Sequence, residues 1–116
     1  MVNDNKSKLT ILWTNADPLT AEMMVFMYAN AALKYNWWDQ VRLIVWGATA
    51  KLVAENEHIQ AKLLEAKAMG VDVGFCIACA NELGVADKIE ALGFELKSMG
   101  PEVTKVLKDD GKMLTI

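Results

Sequence analysis

Val71-Asp72-Val73-Gly74-Phe75-Cys76-Ile77-Ala78-Cys79-Ala80-Asn81-Glu82-Leu83-Gly84-Val85 is the stretch whose reading decides the fold, and it contains both cysteines of the chain. Residues 71–77 have the apolar, partly β-branched character of a short buried strand, whereas 78–83 favour a turn or a first helical turn. The cysteines therefore fall at a strand's carboxyl end. In an open parallel α/β sheet, ligands and reacting groups gather there, because loops meet helix amino termini with unpaired N–H groups and positive dipole ends. A thiol in such a place loses its proton more readily than a free cysteine, whose pKa is about 8.5.

Working upstream, residues 9–14 read as a first strand and Asn15-Ala16-Asp17-Pro18 as the turn after it, with Asp17 capping a helix that Pro18 opens. That helix is expected over 19–35. Met23, Met24, Phe26, Met27, Ala31 and Leu33 cover more than one of its faces, which implies burial on two sides, as core or as a subunit contact. Trp37 and Trp38 follow it, as aromatic pairs do at a core edge or an interface. Residues 41–46 form a nearly continuous apolar strand, as in a parallel sheet covered on both sides, and Gly47-Ala48 turns the chain. Asn56 suits the N-cap of a helix over 57–69, with Ile59, Leu63, Leu64 and Ala68 inward and Gly70 at its end. His58, the only histidine, reads as a surface residue.

Downstream, residues 85–92 give a short helix with Ile89 and Leu92 inward, and residues 94–99 a strand. Residues 102–110 give a last helix with Val103, Val106 and Leu107 toward the sheet, closed by Gly111, and residues 112–116 a closing strand. Strands alternating with helices at this rhythm specify one α/β domain over 1–116, a doubly wound three-layer sandwich around a five-stranded, mostly parallel sheet, with 1–8 as a flexible terminus.

The chain has 116 residues, which leaves no room for a second domain. Its apolar fraction of 53% and mean hydropathy of +0.17 are high for a lone small domain and point to a homo-oligomer. A net charge of −3 without any basic cluster argues against nucleic acid or an anionic membrane as partner. The polar first eight residues lack a secretory signal's apolar core, so a cytoplasmic location is expected.

Two cysteines three positions apart close too short a loop to act as a structural staple. Metal binding needs four ligands where two thiols and one histidine are on offer, so no metal and no cofactor is expected. A thioredoxin-like dithiol carries Pro or Gly between its cysteines and faces a cis-Pro, which Ile77-Ala78 and the placement of the two prolines do not match. A thiolate that takes up sulfur as a persulfide and passes it on needs one exposed thiol of low pKa and a partner able to reach it, and Cys76 at a strand–helix junction meets that need. Two buried cysteines acting as small hydrophobes are the purely structural alternative. So is a small-ligand pocket built from Asn15, Ala16, Gly47, Ala48 and the Cys76 to Asn81 turn.

The C-x-x-C-x-x-x-x-G-[IV] pattern of Cys76, Cys79, Gly84 and Val85, after Gly70-Val71-Asp72-Val73, resembles the DsrE/DsrF-like family. That family includes the small YchN-type members, related to the TusD sulfur-relay proteins, which share this pattern. The resemblance spans nearly the whole chain. It implies a flavodoxin-like fold, a homotrimer or homohexamer, and a sulfur-relay or sulfurtransferase-like subunit working with a sulfur donor and an acceptor. It also implies the persulfide on Cys76, with Cys79 as the second thiol of the YchN type. A neighbouring Cys79 that attacked such a persulfide would discharge it as sulfide and leave a disulfide, so a redox dithiol stands beside the relay reading.

Overall fold

The strand-like runs become five strands: β1 (Lys8–Trp13), β2 (Gln40–Val45), β3 (Asp72–Cys76), β4 (Glu95–Lys97) and β5 (Lys112–Thr115). They pair in the order β4-β3-β2-β1-β5, every pair parallel. The computed structural model describes residues 7–116. Of the flexible terminus expected over 1–8, residues 1–6 lie outside the described residues, and Lys8 already opens β1. The result is the flavodoxin-like α/β layer expected from the alternation of elements.

Successive strands from β1 to β4 step in one direction, and β5 returns across the sheet to pair with β1. Right-handed crossovers therefore put the helices of the first three connections on one face and the returning helix on the other. The helices are α1 (residues 18–34), α2 (Thr49–Glu55), α3 (Glu57–Ala68), α4 (Ile77–Glu82), α5 (Ala86–Ala91) and α6 (Met99–Lys108).

Side-chain alternation along the strands divides the interior accordingly. Leu9, Ile11 and Trp13 of β1, Val41, Leu43 and Val45 of β2, and Val73 and Phe75 of β3 join the large core with residues of α1, α2, α3 and α5. The opposite face holds a smaller cluster, Ile44, Cys76 and Met99, edged by Leu12, Trp46, Cys79 and Val103. Only α6 contributes helical cover there beyond α4's own Cys79, which leaves that face thinly roofed.

Local signals explain most boundaries. Asp17 accepts the Thr20 N–H at 2.8 Å, with Pro18 opening the helix. Asn56 accepts the Ile59 N–H at 3.0 Å. Gly70 takes φ +113°, a left-handed conformation that ends α3 without a Cβ penalty.

Four expectations are corrected. The middle of α1, Ala21–Phe26, winds as a π-helix, and its wider turn brings the adjacent Val25 and Phe26 both into the core. Met23 and Met27 are then 61% and 55% exposed and Met24 is also exposed. The methionines are therefore not core of this chain, and Ala21, Val25, Phe26, Ala29 and Ala32 are. On α3 the inward set is Ile59, Leu63 and Ala66, while Leu64 and Ala68 face outward. Met99 belongs to α6 rather than to a strand, and Leu107 is exposed while Val103 and Val106 are half-buried. At the end of α6 it is Asp110, not Gly111, that adopts positive φ; Gly111 instead lies against Val106, whose carbonyl accepts its N–H at 2.8 Å.

Candidate functional site

Cys76 ends β3 and is the N-cap of α4, with extended backbone and its sulfur accepting the Cys79 N–H at 3.4 Å. A sulfur thus occupies the capping position usually filled by a side-chain oxygen. Cys76 is 3% exposed and Cys79 half-buried, and both are free thiols, close to one another but not at bonding distance. Burial first, then hydrogen bonding to the Cys76 thiol, raises the pKa of Cys79, while the Gly47 backbone N–H pulls it the other way. Cys76, expected to be the exposed thiol, is instead enclosed at the end of β3, and Cys79 is held toward its protonated form because its apolar surround penalises the thiolate more than backbone donors favour it.

The strand ends around the thiols are held rigidly. Thr49, fully buried at the start of α2, donates from Oγ1 to the carbonyls of Trp13 and Trp46 at 3.1 and 2.9 Å, tying together the chain ends of β1 and β2. Gly47, at φ +77°, brings its N–H to the Cys79 sulfur. Of the other residues read as a pocket, Asn15 spends its side-chain oxygen on the Asp17 N–H at 2.9 Å within the turn after β1. Ala16 and Ala48 lie in the turns after β1 and β2. Asn81 lines a shallow depression on α4 with Ala80, Gly84, Ala86 and Asp87. The structure thus joins Gly47 to the thiols by a contact, while Asn15 is engaged locally and Asn81 faces a separate depression.

His58 is exposed and paired with Glu22 at 2.6 Å, in agreement with its reading as a surface residue. Among the described residues no three His, Cys, Asp or Glu side chains come together in a way that would hold a metal ion. Leu12, Trp46 and Met99, which pack around Cys76, were not singled out from the sequence, and Val103, read as facing the sheet, joins them.

A second polar centre was also missed. Arg42, 5% exposed, points from β2 beneath α6 and pairs with Glu102 through Nε at 2.8 Å and Nη2 at 3.0 Å, with Glu95 at 2.9 Å and with Asp72 at 3.1 Å. Lys97 adds a contact to Glu102 at 2.9 Å. The Arg42 guanidinium, with Lys97, holds the Glu102 carboxyl down at about 2. The signal was an arginine inside the apolar run Val41-Arg42-Leu43-Ile44, since a buried charge requires partners.

A parallel five-stranded α/β domain with two thiols at the carboxyl end of its third strand defines a class of small flavodoxin-like cysteine proteins. Within it, the chain belongs to the DsrE/DsrF-like family, which it matches over residues 7–115. BT1422 of Bacteroides thetaiotaomicron, described as a conserved protein of unknown function, is similar in structure. It superposes with a TM-score of 0.95 at 36% identity, all of each chain being covered. The ychN protein of E. coli shares the fold, with a TM-score of 0.71 at 20% identity over 95% of this chain and 99% of that one. No curated protein matches the sequence. No helix of the described residues is long and apolar enough to cross a membrane.

Proposed function

We propose that this chain is a cytoplasmic sulfur-relay subunit, sulfurtransferase-like, that carries sulfur as a persulfide on Cys76 with Cys79 as resolving thiol. One observation carries the reading: the Cys79 N–H is directed at the Cys76 sulfur at 3.4 Å. That contact fixes the Cys76 sulfur where β3 meets α4 and places a second thiol beside it. Family membership supports it as well. The subunit works as a homo-oligomer, a trimer or hexamer, between a donor and an acceptor protein. Leu19, Met23 and Met27, at 64%, 61% and 55% exposure four residues apart on α1, support self-assembly.

Incubation with a persulfide donor should add a multiple of about 32 Da to the intact mass. Cys76→Ala should lose any added sulfur quickly once free thiol is supplied, and Cys79→Ala should keep its added sulfur longer than the wild type. Undiminished retention by Cys76→Ala overturns the assignment. A redox dithiol is the second reading, favoured by the closeness of the two thiols. It is distinguished by a loss of about 2 Da on oxidation in place of any sulfur gain. If neither change occurs with any donor, the small-ligand module remains.

A further inference from the structure

We propose that Cys79 is the port of this site: it accepts the sulfur atom from a bulky organic persulfide and hands it inward to Cys76. The proposal rests on Cys76 as the carrier and adds the order in which the thiols act. Cys76 is 3% exposed, packed with Ile44 and Met99 and screened by Leu12, Trp46 and Val103. A persulfide attached to a peptide or protein cannot bring its terminal sulfur into line with so enclosed a sulfur atom. Cys79 is half-buried, on the first turn of α4 next to the exposed Ile77 and Ala78. It is thus the less enclosed of the two thiols and lies close to Cys76.

In the first step the Cys79 thiolate attacks the terminal sulfur of R–S–SH. A bond forms from Cys79 to that atom, the S–S bond of the donor breaks, and R–S⁻ leaves to be protonated as R–SH. In the second step Cys76 attacks the same outer sulfur. The new bond joins it to Cys76, the bond to Cys79 breaks with its electron pair, and the proton released by Cys76 ends on Cys79. Thiol plus persulfide become persulfide plus thiol, with no external oxidant or reductant. Burial, which raises the proton affinity of Cys79, favours its return as a thiol. The transferred atom thereby spans the gap between thiols that are near but not at bonding distance. The product is a persulfide enclosed by Leu12, Trp46 and Val103, shielded from thiols in solution.

The test compares loading by glutathione persulfide and by small inorganic polysulfide, followed by intact mass. Cys79→Ser should load from glutathione persulfide more slowly by about tenfold or more, but from inorganic polysulfide at close to the wild-type rate. Loading of Cys79→Ser from glutathione persulfide at the wild-type rate, with Cys76→Ala unable to retain sulfur against free thiol, overturns the port while leaving the carrier intact. Absence of uptake by wild type from either donor overturns the carrier itself, and the port with it. A second measurement needs no variant: wild type is pulsed with glutathione persulfide, trapped with an alkylating agent, and the peptide fragmented to locate the added sulfur. It should sit on Cys79 first and on Cys76 later, and the reverse order overturns the proposal.

Discussion

Replacing Glu102 by Gln removes the carboxylate that receives Arg42 through two nitrogens, while keeping shape and a hydrogen-bonding side chain. The remaining partners of Arg42, Asp72 and Glu95, are 73% and 51% exposed, so water screens them and neither replaces Glu102, which is 20% exposed. The carboxyl is lowered from 4.5 to about 2, which at about 1.36 kcal/mol per pH unit corresponds to roughly 3 kcal/mol. Partial exposure and the shared acids bring the expected cost of Glu102→Gln near neutral pH to about 2–3 kcal/mol. The folded carboxyl binds its proton less readily than the unfolded one, so this stability is present above pH 4.5 and lost as pH falls from there toward 2. By pH 3, about 2 kcal/mol of it should be gone. Urea titrations followed by tryptophan fluorescence at pH 7, 5 and 3 measure it. The gap between wild type and Glu102→Gln should be full at pH 7 and shrink by about 2 kcal/mol at pH 3. A gap independent of pH would refute the reasoning, because the destabilisation would then come from packing rather than charge.

A Cβ at Gly74 would lie 2.6 Å from both Arg42 Nη2 and Met99 Cε, so Gly74→Ala should cost about 1–3 kcal/mol in the same titration; an unchanged midpoint would mean that α6 yields freely. Asn56→Ala removes the cap on Ile59 and should cost about 1 kcal/mol, measurable as a fall in Tm. Light scattering at micromolar concentration should give a multiple of the 12.8 kDa chain mass, and a clean monomer would count against assembly through α1.

Most of the fold was legible because its signals are local. Asp17-Pro18, Asn56 and Gly70 mark helix ends by their own chemistry, and the β-branched run before Cys76 marks a buried strand. Less legible was whatever depends on helix phase or on distant partners. The π-helical turn shifts the buried stripe of α1, so the methionines fall outside, and no residue in Ala21–Phe26 announces that winding. Only Ser98 separates Met99 from the strand-like Phe94 to Lys97, which blurred where β4 yields to α6. At the site, the pairing of the thiols followed from their spacing. The enclosure of Cys76 did not, since Trp46, Leu12 and Val103 come from three other elements. Arg42 stood in the strand as an anomaly, but its acids lie 30, 53 and 60 residues away.

The return of β5 across the sheet has a consequence for synthesis. β1 is made first and lies between β2 and β5, so one of its two hydrogen-bonding edges stays open until residues 112–115 have emerged from the ribosome. Leu9, Ile11 and Trp13, rich in strand-forming character, are on that incomplete strand while nearly all of the chain is being translated. An unpaired apolar edge is a template for pairing with another chain. Nascent copies on one messenger are therefore most prone to associate before β5 docks, and slowing synthesis of residues 98–115 should lower soluble yield more than slowing translation earlier.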